Sequence, residues 1–433
     1  MLSRIPRVWL VAGGGWIGRI VQVLAQLVAI RIITDSLGAT GYSVFAVLVS
    51  LAGWMALADF SLAISLQNFI SERRVAGKPY DDLIMTASLL AMGAAIITSL
   101  LLLLLGPWLS AQLLGNFSSF SAQDRLLAFW GMTFPAIGTA LGGVAYKIWF
   151  AEHRGYLSNL LPALGTALGT VGVWIVATAG ASHPLPQSVF IYYIPSAVLP
   201  LIVLAVMMLR VWARNRATAS LAAMLLRRAA RFWLFGLLAA SVLQVDFIIM
   251  AQVLSSQDIV IYSISSRVFG LVFFVYNALL LALWPVCAEG IAAGRWNQVF
   301  RLVRRYLGMG MLMVLAAGIG FAISRDLIIH ILAPTVKVSI PFVVIGLSTL
   351  YIAVRIWSDT FSMLLQSMND LATLWIALPV QSALSIGLQI LGAHFAGLPG
   401  MICGLIMCFV LTVGWYLPRQ CRLHARRSVD FEK

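Results

Sequence analysis

Apolar residues in this chain come in long blocks, not in the alternating or single-stripe patterns of soluble strands and helices. The blocks cover residues 8–33, 42–67, 82–105, 125–150, 157–180, 187–210, 231–254, 258–284, 306–324, 339–363, 371–393 and 398–418. A helix that crosses the hydrocarbon core of a bilayer needs about 20 mostly apolar residues, and every block comes close to that length or exceeds it. The pattern predicts an all-α polytopic membrane protein of about 12 transmembrane helices with short connections. The longest external connection falls around residues 106–124 and the longest internal one at 211–230. Neither side has room for a soluble domain of catalytic size.

The polar residues between the blocks set the expected orientation. With the N-terminus in the cytoplasm, 22 of the 29 Lys and Arg lie on the cytoplasmic side and four lie inside helices. Only Arg125, Arg325 and Lys337 fall on the opposite side. Cytoplasmic loops accumulate Lys and Arg, so both termini are expected to be cytoplasmic. The same placement accounts for the net charge of +14 without nucleic acid as a partner. Composition agrees with a bilayer as solvent, since 61% of residues are hydrophobic and 10% charged, against roughly half and a quarter in soluble domains. Arg4 and Arg7 ahead of an apolar run look like a secretory signal, but the run continues to Ile33 without a convincing cleavage site, which reads as a retained helix. Cys287, Cys403, Cys408 and Cys421 form no CxxC pair, so neither disulfides nor a zinc site are expected.

The two halves of the pattern look related. Glu72-Arg-Arg-Val-Ala76-Gly77-Lys78 follows the second block, and Glu289-Gly-Ile-Ala-Ala293-Gly294-Arg295 follows the eighth; both read E-x-x-x-A-G-(K/R). Gly41-Tyr42-Ser43 has a near counterpart in Ile261-Tyr262-Ser263. Two matches in the same order favour a six-plus-six duplication. An even number of helices per half makes the repeats parallel, two six-helix lobes related by a pseudo-twofold along the membrane normal, with cargo expected at their interface. The domains expected are an N-terminal lobe at 1–210, a basic cytoplasmic linker at 211–230, a C-terminal lobe at 231–418 and a basic cytoplasmic tail at 419–433.

Ionisable residues inside membrane helices cost about 2.5–3.5 kcal/mol on insertion scales and normally face a polar interior or a partner. Here they are Arg19, Arg31, Asp59, Asp246, Arg267, Arg355 and Asp359. Gly15, Gln22 and Gln26 share the helical face of Arg19 by i±3 and i±4 spacing, and such a face suits a cavity better than lipid tails. Arg267 repeats the theme, with Ser263, Ser266, Gly270 and Asn277 roughly along its stripe. Arg19 and Arg267 read as cationic sites for a phosphate-bearing ligand, since guanidinium binds phosphate in bidentate fashion. The competing reading is internal charge pairing. Asp246 and Arg267 have matching depths in consecutive helices, and Asp59 approaches the depth of Arg19. The aspartates could also serve as proton or sodium sites. For Arg355 and Asp359, an i,i+4 salt bridge is the simpler reading. Arg31 near the external surface and Lys147 at the internal edge of its helix can snorkel.

Several strings carry no chemistry. Gly13-Gly14-Gly15 follows no strand and precedes no Lys-Ser/Thr, so it is no phosphate loop. Gly14-x-x-x-Gly18 and Gly165-x-x-x-Gly169 suit close helix packing. No HExxH, GxSxG or metal-ligand cluster occurs, and nothing positive points to an enzyme.

Other stretches resemble bacterial O-antigen flippases, members of the multidrug/oligosaccharidyl-lipid/polysaccharide exporter superfamily. They begin with Leu37-Gly-Ala-Thr-Gly-Tyr42, Trp54, Asp59-Phe60 and Leu66-Gln-Asn-Phe-Ile-Ser-Glu72, followed by Ala145-Tyr-Lys-Ile148 with Phe150-Ala-Glu152 and Asn159-Leu160. More specific are Leu243-Gln-Val-Asp246, Arg267-Val-Phe-Gly-Leu-Val-Phe-Phe274 running to Leu283-Trp-Pro-Val-Cys-Ala-Glu289, Arg355-Ile-Trp-Ser-Asp359, and Met363-Leu-Leu-Gln-Ser-Met-Asn369. The resemblance runs nearly end to end. It implies two lobes around a central cavity that opens alternately to either side of the inner membrane. The implied cargo is an O-antigen repeat unit on an undecaprenyl pyrophosphate carrier. The substrate-binding cations would be Arg19, Arg267, Arg31 and Arg355, with Gln22, Gln26, Ser263 and Asn277 lining the cavity and Asp59, Asp246 and Asp359 as ion-coupling or charge-pair residues. Expected partners are the lipid-linked oligosaccharide, membrane lipids, and the O-antigen polymerase and chain-length regulator. No cofactor is expected beyond coupling to H+ or Na+. The alternatives are a multidrug/cation antiporter of the same superfamily, whose cationic drugs would prefer an acidic cavity, and an O-antigen polymerase or membrane glycosyltransferase, which would carry larger periplasmic loops.

Overall fold

Lipid offers no partner to a backbone N–H or C=O, so a chain with these apolar blocks must close its hydrogen bonds within helices. The computed structural model describes residues 7–180, 182–212, 217–336, 338–368 and 372–431. Arg4, Arg214, Arg216, Lys337 and Lys433, whose charges entered the topology, and Asn369 of the last family-like stretch, lie outside the described residues. The described elements are α1 (Arg7–Met55), a 3-10 turn (Ala56–Asp59), α2 (Leu62–Val75), α3 (Asp81–Leu114), α4 (Ala122–Ala151), α5 (Gly155–Thr178), α6 (Pro184–Trp212), α7 (Ala219–Leu243), α8 (Asp246–Val253), α9 (Ser256–Ala292), α10 (Trp296–Leu332), α11 (Phe342–Ser367), α12 (Ala372–Leu411) and α13 (Val413–Phe431).

Among the described residues, nine helices are long and apolar enough to cross a membrane, and the pair α7–α8, bent by 44°, makes a tenth. Two of the nine are double. Helix α1 turns at Gly38 (φ +68°), and α12 turns at Ala396–Gly397, where Gly397 has φ +59°. Glycine enters this left-handed region without steric cost. Division at these two points recovers all twelve blocks read from the sequence.

The connections are shorter than the sequence suggests. Helix α3 runs through Pro107 to Leu114 and α4 begins at Ala122, so most of the expected connection at 106–124 is helical. The expected linker is helical from Ala219 onward, and the expected tail forms most of α13. The linker segment is rich in Ala, Leu and Arg, all strong helix formers. Its basic residues mark it as polar without making it irregular.

The chain divides into two compact units. The first comprises residues 1–240 and 332–336, the second residues 241–331 and 337–433. In the first, α1 packs on α5 and α4 on α6, with glycine at the closest approaches. A Cβ on Gly18 would lie 2.5 Å from the Asn159 carbonyl oxygen, and one on Gly169 would lie 2.2 Å from that of Tyr192. Without a hydrophobic drive between helices in lipid, such small-residue contacts carry the packing. Residues 332–336 join this unit at α1, where Thr34 Oγ1 donates to the Leu332 carbonyl (3.2 Å) and Thr335 Oγ1 to that of Thr34 (3.1 Å). In the second unit, α11 packs against α9, α12 and α13, and α12 folds back on itself beyond Gly397. A Cβ on Gly392 would meet the Gly400 carbonyl oxygen at 2.1 Å.

The two E-x-x-x-A-G-(K/R) stretches build the same helix ending. Ala76 N–H donates to Glu72 O and Lys78 N–H to Arg73 O; Ala293 N–H donates to Glu289 O and Arg295 N–H to Gly290 O. Gly77 (φ +67°) and Gly294 (φ +70°) make the left-handed step that lets the chain turn back on the last carbonyls.

Overpacking a close contact costs about 1–3 kcal/mol. Gly169→Ala is therefore expected to lower the thermal denaturation midpoint in detergent, whereas Gly143→Ala, with open space at its Cβ inside α4, does not lower it.

Candidate functional site

Both units place an aspartate where a membrane helix breaks. In the first unit the 3-10 turn ends in two left-handed residues, Phe60 (φ +49°) and Ser61 (φ +57°), before α2 begins. The break frees backbone amides inside an apolar medium, and the carboxylate of Asp59 takes them. Ser61 N–H donates to Oδ1 at 2.8 Å and Ala63 N–H to Oδ2 at 3.1 Å. Trp233 Nε1 of α7 donates to the Leu57 carbonyl at 3.1 Å, and its ring lies 5.4 Å from that of Phe60. Asp59 is 7% exposed. It lines a cavity of about 470 Å³ together with Lys147, Tyr146, Tyr193, Ser61 and Ser158. Lys147 is close enough to interact electrostatically with Asp59, and its Nζ lies 5.7 Å from the Phe150 ring centre.

In the second unit the break lies between α7 and α8. Asp246 opens α8 and accepts from the Phe247 N–H at 2.9 Å. The Val242 carbonyl near the end of α7 accepts from Ser385 Oγ of α12 at 3.4 Å, and Ser385 accepts in turn from Gln389 Nε2 at 2.8 Å. The other Asp246 oxygen accepts a short hydrogen bond from the Tyr262 hydroxyl of α9. A chain of charges continues onto α11. Arg355 acts electrostatically on Asp246, hydrogen-bonds Tyr351, and lies 3.8 Å from Asp359. The Phe273 ring of α9 covers the guanidinium at 4.1 Å. Two carboxylates, one guanidinium, two phenols and a phenyl face from three helices thus form one cluster. Its ionic charges sum to minus one with both aspartates ionised.

The sequence-predicted residues fall into distinct settings. Arg355, Asp359 and Asp246 share this cluster, so the i,i+4 contact of Arg355 with Asp359 exists but is only part of it. Asp246 is held by Tyr262, and not by depth-matched Arg267. Tyr262 and Arg267 lie on the same helix, and Asp246 meets α9 at Tyr262, five residues nearer its start, because the short α8 leaves depth too coarse a measure to choose between them. Asp59 likewise goes to the break amides and to Lys147, not to Arg19. Lys147 itself turns into the cavity, where a snorkelling residue would turn outward. Arg31 is exposed (53%) and lies 3.8 Å from Asp35 in an i,i+4 pair.

Arg19 is exposed on α1, with Gln22 and Gln26 half-buried beside it. Arg267 is half-buried on α9, with Ser263 buried and Asn277 exposed on the same helix. Sequence reasoning missed the anchoring roles of Tyr262, Tyr351, Phe273, Trp233 and Ser385. All are ordinary residues in apolar blocks, and only their partners on other helices give them those roles.

Removing one member of a buried ionic network leaves the others uncompensated, at a cost of about 3 kcal/mol or more. Arg355→Met is expected to destabilise the chain more than Asp359→Asn, and Asp246→Asn in the Arg355→Met background to restore part of the loss. Chemical denaturation of the wild type and these three variants in detergent reads this directly. At the first break, Asp59→Asn keeps an acceptor oxygen, while Asp59→Ala orphans two amides and costs about 2 kcal/mol more by the same measurement.

No protein-family model matches the chain. A Yersinia pseudotuberculosis protein named for O-antigen export is 39% identical over 429 residues, covering 98% of both chains. The fold is that of an inward-facing multidrug-resistance MATE family transporter of the MOP superfamily, with TM-score 0.77 and 12% identity over 94% of this chain and 96% of that one. It is shared by the lipid II flippase MurJ in an inward closed conformation, with TM-score 0.70 and 13% identity over 97% of this chain and 90% of that one.

Proposed function

The chain belongs to the O-antigen exporter family, and from that premise we propose that it flips undecaprenyl-pyrophosphate-linked O-antigen repeat units from the cytoplasmic to the periplasmic leaflet of the bacterial inner membrane by alternating access. The observation that carries the proposal is the full-length match to proteins named for O-antigen export and transport. The helical fold, shared with a drug transporter and a lipid flippase, is compatible with it. The antiporter alternative lacks a comparable relative: the curated relatives at 34–39% identity bear O-antigen export and transport names.

Within that reading the arginines divide by setting. Arg355 is committed to its carboxylate cluster and Arg31 to Asp35. Arg19 and Arg267 are the cations assigned in this reading to the pyrophosphate, because guanidinium offers paired donors to phosphate oxygens. Gln22 and Gln26 beside Arg19 supply neutral polar contacts suited to a sugar. Asp59 with Lys147 is the candidate ion-coupling pair: a charge held in a largely apolar cavity is costly to keep, and a proton neutralises it. The termini face the cytoplasm in this reading, as the Lys and Arg asymmetry requires. Polymerase and chain-length regulator would take over the cargo on the periplasmic side.

Arg19→Ala and Arg267→Ala are each expected to reduce surface O-antigen at least about tenfold, the loss of one charge-assisted phosphate contact, with unchanged amounts of protein in the membrane. Wild-type O-antigen from both variants would refute the phosphate role. Reconstitution into liposomes with a lipid-pyrophosphate-linked oligosaccharide tests the activity itself. Imposed proton and sodium gradients in the same liposomes, applied to Asp59→Asn and Asp246→Asn, separate coupling from structure.

A further inference from the structure

Away from both aspartates, the first unit holds another cavity of about 470 Å³ where five helix ends meet. Arg74 comes from the end of α2, Asp81 from the start of α3, Glu152 from the end of α4, Arg154 from the start of α5, and Arg210 from the last turn of α6. The transport reading assigns this pocket no role.

Two of its charged groups are already engaged. Arg74 donates to the Ala151 carbonyl, closing the end of α4. Glu152 accepts from the Tyr80 hydroxyl at 3.0 Å. Arg154 and Arg210 differ. Both are exposed, and no hydrogen bond or ion pair engages either side chain among the described residues. Against their two positive charges the rim sets one exposed carboxylate, Asp81. Arg154 is also the N-cap of α5, and its side chain makes no cap hydrogen bond. The inner wall is apolar, made by Ile84, Ile148, Met207 and Val211.

We infer that this pocket binds the headgroup phosphate of an anionic membrane phospholipid, with Arg154 and Arg210 on the phosphate and the glycerol and first acyl carbons against Met207 and Val211. Its position decides for lipid over a soluble anion. The candidate membrane spans Asp81–Leu114, Ala122–Ala151, Gly155–Thr178 and Pro184–Trp212 all begin or end here, so the pocket opens at the membrane surface. Trp149 in its wall is a residue type enriched at that depth. Basic pockets between membrane helices recognise anionic headgroups by the same combination of cation and apolar floor. In the topology proposed above this is the cytoplasmic face. The inference rests on the membrane reading alone and stands whatever the cargo is.

The test uses the purified full-length chain in detergent, with native mass spectrometry and thermal denaturation. The probes are phosphatidylglycerol, phosphatidylcholine of the same acyl chains, and inorganic phosphate. Wild-type protein is expected to retain phosphatidylglycerol over phosphatidylcholine and to be stabilised by it, with inorganic phosphate inert. At about one surface-charge increment per arginine, the double variant Arg154→Gln, Arg210→Gln weakens phosphatidylglycerol binding about thirtyfold. The control Arg227→Gln, Arg231→Gln, in a separate basic groove of the same unit, leaves binding at the wild-type level. Equal phosphatidylglycerol binding by wild-type and the Arg154/Arg210 variant overturns the site. Equal weakening by the control overturns its specificity in favour of diffuse charge attraction. Stabilisation by inorganic phosphate equal to that by phosphatidylglycerol overturns the lipid in favour of a soluble phosphate.

Discussion

A backbone amide freed inside a bilayer has no water to turn to, and this requirement organises both units. Helices spanning lipid can break only where side chains replace the lost hydrogen bonds. The protein breaks two of them, at Phe60–Ser61 and between α7 and α8, and repairs both by the same scheme. An aspartate carboxylate, Asp59 or Asp246, collects freed N–H groups, and a side chain from another helix, Trp233 or Ser385, donates to a nearby carbonyl. Each repair brings a charge into a medium that penalises it. The surrounding polar groups follow from that: Lys147 beside Asp59, and the Tyr262–Arg355–Asp359 cluster around Asp246.

This ordering gives the intramembrane aspartates a structural task that exists with or without cargo. The arginines differ in kind. Arg355, shielded by Phe273 and tied to Tyr351 and Asp359, is spent on neutralising carboxylates. Arg19 is exposed on α1 and Arg267 half-buried on α9, and the proposed role of both in meeting an anionic cargo is separate from these helix repairs.

Glycine makes the close packing possible. Gly18 and Gly169 bring α1 and α6 against α5, and Gly392 and Gly400 let the two arms of α12 lie together. At Gly38, Gly77, Gly294 and Gly397 the residue serves the other purpose of turning the chain at positive φ. The recurrence of Gly77 and Gly294 within one motif links sequence and structure directly, since both build the same hydrogen-bonded helix ending.

The sequence by itself determined the class of fold, the twelve apolar segments and the identity of the intramembrane charges, because hydrophobic length and the cost of charge in lipid are properties of local composition. It also marked Gly18 and Gly169 as packing positions, through spacing that only helical geometry makes meaningful. The pairing of those charges was not legible. Asp246 and Arg267 matched in depth by residue count, but the helix break at Asp246 shifts that count, and the partner on the same helix is Tyr262, five residues earlier. Lys147 at a helix edge read as a snorkelling residue until the packing of α2, α4 and α5 enclosed it beside Asp59. The linker and tail read as polar segments, although their Ala, Leu and Arg content favours helix. Which amides would be orphaned, and by what side chains they would be rescued, depends on where helices break and which neighbours stand beside the break. That is a matter of contacts between residues as far apart as Val242 and Ser385, and only the tertiary structure decides it.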